Sequence, residues 1–218
     1  MIDIHFIENT KQLLPEYERS IKTLLASNEV DQAKRYRRWQ DKQAYLLGKF
    51  LLATLLKKHG YSEKLLKDIR YSEFKRPYIP QVKGDFNISH SGDFVICAFS
   101  DNHKIGIDIE RIQQIDMSIY NYILNDDDSK RIAMSTNKYS TFFDIWSAKE
   151  AILKAHGCGL VNDLDKIEVN DEVGIFEHTI YHLKKLPIHS DYSSVVASLT
   201  PIKISECREV FIEEFSTL

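Results

Sequence analysis

Residues 86–110 read FNISHSGDFVICAFSDNHKIGIDIE. Apolar and β-branched residues run up to a Ser-Gly-Asp turn and away from it again, the pattern of two strands joined by a hairpin. After a short polar stretch, IGIDIE continues as a third strand. Its period is two: Ile105, Ile107 and Ile109 share one face, and Gly106, Asp108 and Glu110 share the other. Asp and Glu are poor strand formers, and like charges held on one face repel. The stretch therefore predicts antiparallel sheet and asks why two carboxylates stand side by side on it.

Helical patterns flank these strands. Residues 10–26 and 30–59 read as helices, the second ending in LLATLLKKHG with Gly60 as its stop signal. Residues 1–8 and 66–73 read as strands, and KRPYIP (75–80) as a loop stiffened by two prolines. After a polar stretch containing NDDDSK (125–130), helix returns over 139–156, and short β-rich runs fill 165–213. The fold class is α+β. There is also an internal echo. LLKKHG (55–60) resembles ILKAHG (152–157), and DFVICAFS (93–100) resembles DYSSVVASL (191–199) at nearly the same offset. A shared offset for a helix and a strand predicts a duplicated α+β unit, with functional sites at the seam between the halves.

Composition narrows the function classes. The chain has 218 residues, 43% hydrophobic and 28% charged, with a net charge of -3. That suits a soluble globular protein and gives no global attraction to nucleic acid or to a membrane surface. No apolar run reaches the length of a membrane span, and MIDIHFIENT lacks the charged and apolar regions of a signal peptide. Cys97, Cys158 and Cys207 are too few and too scattered for a disulfide framework or a zinc site, so they read as free thiols in a reducing cytoplasm. Neither GxxxxGK[ST] nor GxGxxG occurs, which argues against ordinary P-loop or Rossmann nucleotide binding.

Asp108 and Glu110 admit two readings, a solvated strand face or a site for a divalent cation, with hard oxygen ligands favouring magnesium or calcium over zinc. Gly106 on the same face would let a ligand approach the backbone. FFDIWSAKEAILKAHG (142–157) sharpens the second reading. On a helix, Phe142, Ile145, Trp146, Ile152 and Leu153 face the core, while Glu150 and Lys154 lie one turn apart at the edge of that arc. Those two read either as an i,i+4 ion pair or as a metal ligand and an anion contact. Lys149 projects into the middle of the apolar arc, where it either snorkels or meets an anionic partner. A cation, carboxylates and lysines together suit phosphate esters. Other candidate anion contacts are the basic run AKRYRRWQDK (33–42), Arg76 on its stiff loop, and Ser89 and His90 beside the hairpin turn. The basic run reads equally as a solvated helix face. IQQIDMSIYNYIL (112–124) reads as an amphipathic helix whose stripe, Ile115, Met117, Ile119 and Tyr120, either packs inward or docks a partner.

Three blocks together resemble the phosphopantetheinyl transferases of the surfactin-synthetase-activating type: KRPYIP, FNISHSGDFVICAF with IGIDIE, and WSAKEAILKAHGCGL. The resemblance implies two α+β lobes related by a pseudo-twofold, 1–104 and 105–218, each a long helix on a small antiparallel sheet. The second lobe would carry the metal site. It implies transfer of the 4′-phosphopantetheine arm of coenzyme A to a serine of an apo acyl or peptidyl carrier protein by a cytoplasmic monomer. Adenosine 3′,5′-bisphosphate is released. It also implies that Asp108, Glu110 and Glu150 hold magnesium or manganese and that Lys154 contacts the phosphates, with Lys149 beside it. Glu150 and Lys154 are then the catalytic pair. Ser89 and His90 would contact the nucleotide end and its 3′-phosphate, and Arg76 would take the place of the family's lysine near the nucleotide. The family's arginine for the 3′-phosphate falls on Ala44 here, which leaves Arg38 or Lys42 as substitutes. The alternative is a non-catalytic carrier-protein or nucleotide-binding module of the same fold.

Overall fold

The computed structural model describes residues 1–120, 123–159 and 164–217. In chain order its elements are β1 (Ile2–Glu8), α1 (Pro15–Thr23), α2 (Ser27–Lys34), α3 (Trp39–Lys58), β2 (Arg70–Tyr71), β3 (Pro77–Tyr78), β4 (Asp85–Ser91), β5 (Phe94–Ser100), β6 (Ile105–Arg111), α4 (Asp126–Met134), α5 (Lys138–His156), β7 (Glu168–Val169), β8 (Val173–Phe176), β9 (Thr179–Lys185), β10 (Tyr192–Ser198) and β11 (Ile204–Glu209). The Ser-Gly-Asp turn forms as expected, with β4 and β5 antiparallel on either side of it. No helix among the described residues is long and apolar enough to cross a membrane.

The strands form a sheet in the order β11-β1-β5-β4, a second in the order β6-β10-β9-β8-β7, and the small β2-β3 ribbon. The two large sheets repeat one topology. A first strand (β1 or β6) leads to a long helix (α3 or α5). A third strand (β4 or β9) follows, and the last strand (β5 or β10) pairs between the first and the third. That repeat is consistent with a pseudo-twofold relation, and it matches the sequence echo element for element. One strand crosses over: β11 runs parallel to β1, so the end of the chain completes the first sheet. A division into lobes at residue 104 remains a proposal, with β11 joined by its hydrogen bonds to the first.

Each long helix seals its own sheet. Leu47, Phe50 and Leu51 of α3 pack on Val95, Cys97 and Phe99 of β5. Ala151, Ile152 and Ala155 of α5 pack on Val195 and Ala197 of β10. A third core lies between the sheets, where Ile2, Ile4, Ile96 and Ala98 meet Ile105, Ile107, Ile109 and Val196. The isoleucine face of IGIDIE is thus wholly buried, which leaves its carboxylate face toward α5.

Several expectations are corrected. The basic run 33–42 is not one helical face: it spans the end of α2 and the start of α3, with Lys34 paired to Asp31 at 2.8 Å and Arg38 as the N-cap of α3. NDDDSK opens a helix. Asn125 accepts from the Asp128 N–H and the Asp128 carboxylate accepts from the Asn125 N–H, a capping box with acidic residues in the first turn. The stripe over 112–124 is reduced to a 3-10 turn, Met117–Tyr120. Ile115, Met117 and Tyr120 pack toward Phe142 and Trp146, and Ile119 stays exposed. Asn121 and Tyr122 of that stretch lie outside the described residues.

The two sheets meet where edge strand β4 runs beside edge strand β6. Side chains replace a backbone ladder there. The Ile105 N–H donates to Asp85 Oδ2 at 2.9 Å, the Ile107 N–H to Asn87 Oδ1 at 3.0 Å and the Arg111 N–H to Ser91 Oγ at 3.1 Å. Alternate residues of β4 thus satisfy alternate amides of β6. Gly106 serves this seam in a way the sequence reading misassigned: what approaches its backbone is α5, not a ligand. A Cβ there would overlap the Ala151 carbonyl and press on the Ala155 amide. Gly106→Ala is expected to lose roughly 3 kcal/mol by pushing α5 off β6, read as a lower urea midpoint.

Candidate active site

Close contact between α5 and β6 brings their charged residues together. Lys154 Nζ donates to Asp108 Oδ1 at 2.6 Å and to Ser89 Oγ at 3.0 Å, and Ser89 Oγ donates to the same carboxylate oxygen at 2.9 Å. Asp108 is only 2% exposed, and its other oxygen, Oδ2, is buried with no partner among the described residues. Glu110 follows on the same face and accepts from Ser91 Oγ at 2.8 Å. Glu150, one helical turn before Lys154, is half-buried beside them. Lys154 therefore turns to Asp108 on the strand beneath its helix instead of closing an i,i+4 bridge.

The carboxylates feel one another. Burial pushes the Glu110 carboxyl up to about 7, and the Asp108 charge adds to it, against the Ser91 hydrogen bond and Lys154. Burial also raises Glu150; Lys154 opposes the rise and Asp108 reinforces it. Like charges so placed call for a cation. Among the described residues no three His, Cys, Asp or Glu side chains are already gathered as a metal site. The donor chemistry nevertheless fits a hard divalent cation: three carboxylates approach from two elements, and one buried oxygen lacks a partner among the described residues.

A cleft of about 490 Å³ opens beside these groups, lined by the 74–77 loop, Asn87 and Ile88 of β4, and Glu150, Leu153 and Lys154 of α5. The remaining sequence candidates distribute around it unevenly. Arg76 lines the cleft, but its guanidinium is engaged. It donates to Asp85 Oδ2 at 2.5 Å, to the Ile105 carbonyl at 2.8 Å and to the Lys154 carbonyl, and so clamps the loop to β6 and the end of α5. His90 stands next to Ser89; protein atoms crowding its ring strip part of its solvation and, with the Lys154 ammonium, hold its pKa down.

Two candidates lie elsewhere. Lys149 is fully buried, donating to Asp128 Oδ2 at 2.5 Å and to the carbonyls of Ile123 at 2.7 Å and Leu164 at 2.9 Å. It has the anionic partner that its place in the apolar arc called for, but that partner is α4 and not a bound ligand. Lys42 pairs with Glu18 at 2.5 Å, away from the cleft, and Arg38 is exposed at the α3 N-cap outside the cleft lining. Ala44 is buried.

Sequence reasoning missed Asp85, Asn87 and Ser91, which build the seam. The signal was present: Asp85, Asn87, Ser89 and Ser91 are polar at every second position of the strand, alternating with Phe86, Ile88 and His90.

Comparison with known proteins adds a second line. A family model described as 4'-phosphopantetheinyl transferase superfamily matches residues 104–200, and one described as 4'-phosphopantetheinyl transferase, N-terminal, matches residues 14–102. The chain is 30% identical to the 4'-phosphopantetheinyl transferase gsp of Aneurinibacillus migulanus, over 98% of this chain and 96% of that protein. It is 29% identical to the 4'-phosphopantetheinyl transferase Sfp of Bacillus subtilis strain 168, over 91% and 92% respectively. It is 28% identical to the 4'-phosphopantetheinyl transferase ffp of Bacillus subtilis, over the same shares.

Proposed function

The chain belongs to the 4'-phosphopantetheinyl transferases of the Sfp type, and from that premise we propose that it moves the phosphopantetheine arm of coenzyme A onto a serine of an apo acyl or peptidyl carrier protein. The observation that carries the reading is the junction of Asp108 and Glu110 with Glu150 and Lys154 beside a cleft at the sheet seam. A non-catalytic binding module has no need of that arrangement.

Asp108, Glu110 and Glu150 would hold a divalent cation, magnesium or manganese, which supplies charge neutralisation to the diphosphate when bound. The chain's own residues do the rest. The carrier serine oxygen attacks the phosphorus that carries the pantetheine arm, and the bond from that phosphorus to the bridging oxygen breaks. Adenosine 3′,5′-bisphosphate then leaves. Glu150, its carboxyl raised by burial, accepts the serine proton. The Lys154 ammonium, steadied by Ser89 and Asp108, stands where phosphate charge accumulates. Ser89 and His90 face the nucleotide end. Arg76 keeps the loop, β6 and α5 in fixed relation, so that the reacting groups are positioned before substrate arrives. Ile119, exposed on its 3-10 turn, is offered to the carrier. The proposal extends to a cytoplasmic monomer, compatible with three unpaired cysteines.

Incubating the protein with coenzyme A, magnesium and apo carrier protein, then weighing the carrier by mass spectrometry, tests the reading. A gain of one phosphopantetheine per carrier is expected. No gain across acyl and peptidyl carriers would reject it.

A further inference from the structure

One buried polar cluster outside the active site has no task in the reaction as described. Glu29 of α2 and Lys49 of α3, 3% and 4% exposed, pair at 2.7 Å. Two tyrosine hydroxyls complete the cluster. Tyr45 donates to Glu29 Oε2 at 2.7 Å. Tyr71 donates to both Glu29 oxygens at 2.9 Å and accepts from Lys49 Nζ at 3.3 Å. Burial works to raise the Glu29 carboxyl, but the Lys49 ammonium and the hydroxyls outweigh it and leave the carboxyl below its usual range. Exchanging a buried ion pair for apolar residues of the same volume is often neutral for stability. The cluster is better understood by what it holds.

Tyr71 belongs to β2, and the residue is 43% exposed, so apolar burial does little to fix it. Its hydroxyl is its grip on the helices. Strands β2 and β3 have two residues each, too few to stand alone. Tyr71 pairs with Pro77 in this ribbon, the Ser72 N–H donates to the Arg76 carbonyl at 2.9 Å, and the Arg76 N–H donates to Ser72 Oγ at 3.2 Å. Whatever holds Tyr71 therefore holds residues 74–77, one wall of the cleft. The Arg76 guanidinium fastens that wall to the carbonyls of Ile105 and Lys154. Tyr71 fastens it to α2 and α3. We infer that Tyr71 is a positioning residue for the transfer: its hydroxyl, gripped by Glu29 and Lys49, latches the 74–77 wall in place and so sets how tightly coenzyme A is held. The inference rests on the transferase reading.

The test compares wild type with Tyr71→Phe and Tyr45→Phe. Each variant removes one hydroxyl from the same carboxylate, but only Tyr71 is tied to the wall. One readout needs no substrate: the rate of trypsin cleavage after the exposed Lys75, mapped by mass spectrometry, which follows the population of opened ribbon. The other is the split between KM for coenzyme A and kcat. In Tyr71→Phe, cleavage is expected to be about 10-fold faster and KM about 10-fold higher, the loss of one hydrogen bond to a charged group. The kcat should stay within about twofold, because Asp108, Glu110, Glu150 and Lys154 are untouched. Tyr45→Phe should match wild type in all three within about twofold. Cleavage or KM of Tyr71→Phe remaining at the wild-type value, or moving equally in Tyr45→Phe, overturns the proposal. A wild-type protein that transfers nothing to the carrier and binds no coenzyme A by calorimetry overturns the transferase reading instead, and the cleavage contrast then decides the latch by itself.

Discussion

Asp108→Ala is expected to lower transfer to the carrier by roughly 10²- to 10⁴-fold, because the substitution removes two functions at once. One is the buried, partnerless Oδ2, the oxygen best placed to meet a cation. The other is the acceptor that fixes Lys154 Nζ at 2.6 Å. Without it the ammonium is free to swing toward Glu150, which would compete for the carboxylate that accepts the proton. The fold should tolerate the change. Lys154 is 27% exposed at its side chain and remains hydrated, and the seam keeps its Asp85, Asn87 and Ser91 rungs. Thermal unfolding of the variant near the wild-type temperature, together with a mass-spectrometric transfer rate near zero, is the expected pair of results. Magnesium-dependent transfer at close to the wild-type rate would remove Asp108 from the site.

How much of this was legible beforehand depends on what each residue answers to. The strands of 86–110 and the helix over 139–156 were readable because burial imposes a period on the chain, and the period survives in the letters. The carboxylate face of β6 was readable for the same reason. Contacts that depend on tertiary partners were not. Lys149 and Lys154 are both lysines of α5, and nothing local says that one meets Asp128 inside the protein while the other reaches Asp108 on β6. Arg76 looked like a phosphate contact because arginine suits that task, but Asp85 and two backbone carbonyls already occupy its guanidinium. The helix at Asp126–Met134 was hidden by its own capping: a run of aspartates looks like a loop until the first-turn amides they complement are considered. Gly106 was noticed for the right property, room beside the backbone, and given the wrong neighbour.

Lys149→Met separates a structural lysine from a ligand-binding one. The ammonium is fully buried and holds three acceptors: the Asp128 carboxylate, which also caps α4, and the carbonyls of Ile123 and Leu164. Burial lowers its pKa and Asp128 opposes that, so the pair is held as a unit. Methionine fills the same volume but removes the counter-ion of a buried carboxylate and a donor from each of two carbonyls. The expected cost is about 3–5 kcal/mol in urea unfolding. Adding Asp128→Asn should restore part of it, because asparagine still accepts from the Asn125 amide while the uncompensated charge is gone. A lysine working in the cleft predicts the reverse: a wild-type urea midpoint for Lys149→Met, a raised KM for coenzyme A, and no recovery from a change at Asp128. That outcome would return Lys149 to the phosphates and require α5 to be rotated about its axis. Glu150 and Lys154 would then leave the carboxylate face of β6, and the proposed site would go with them.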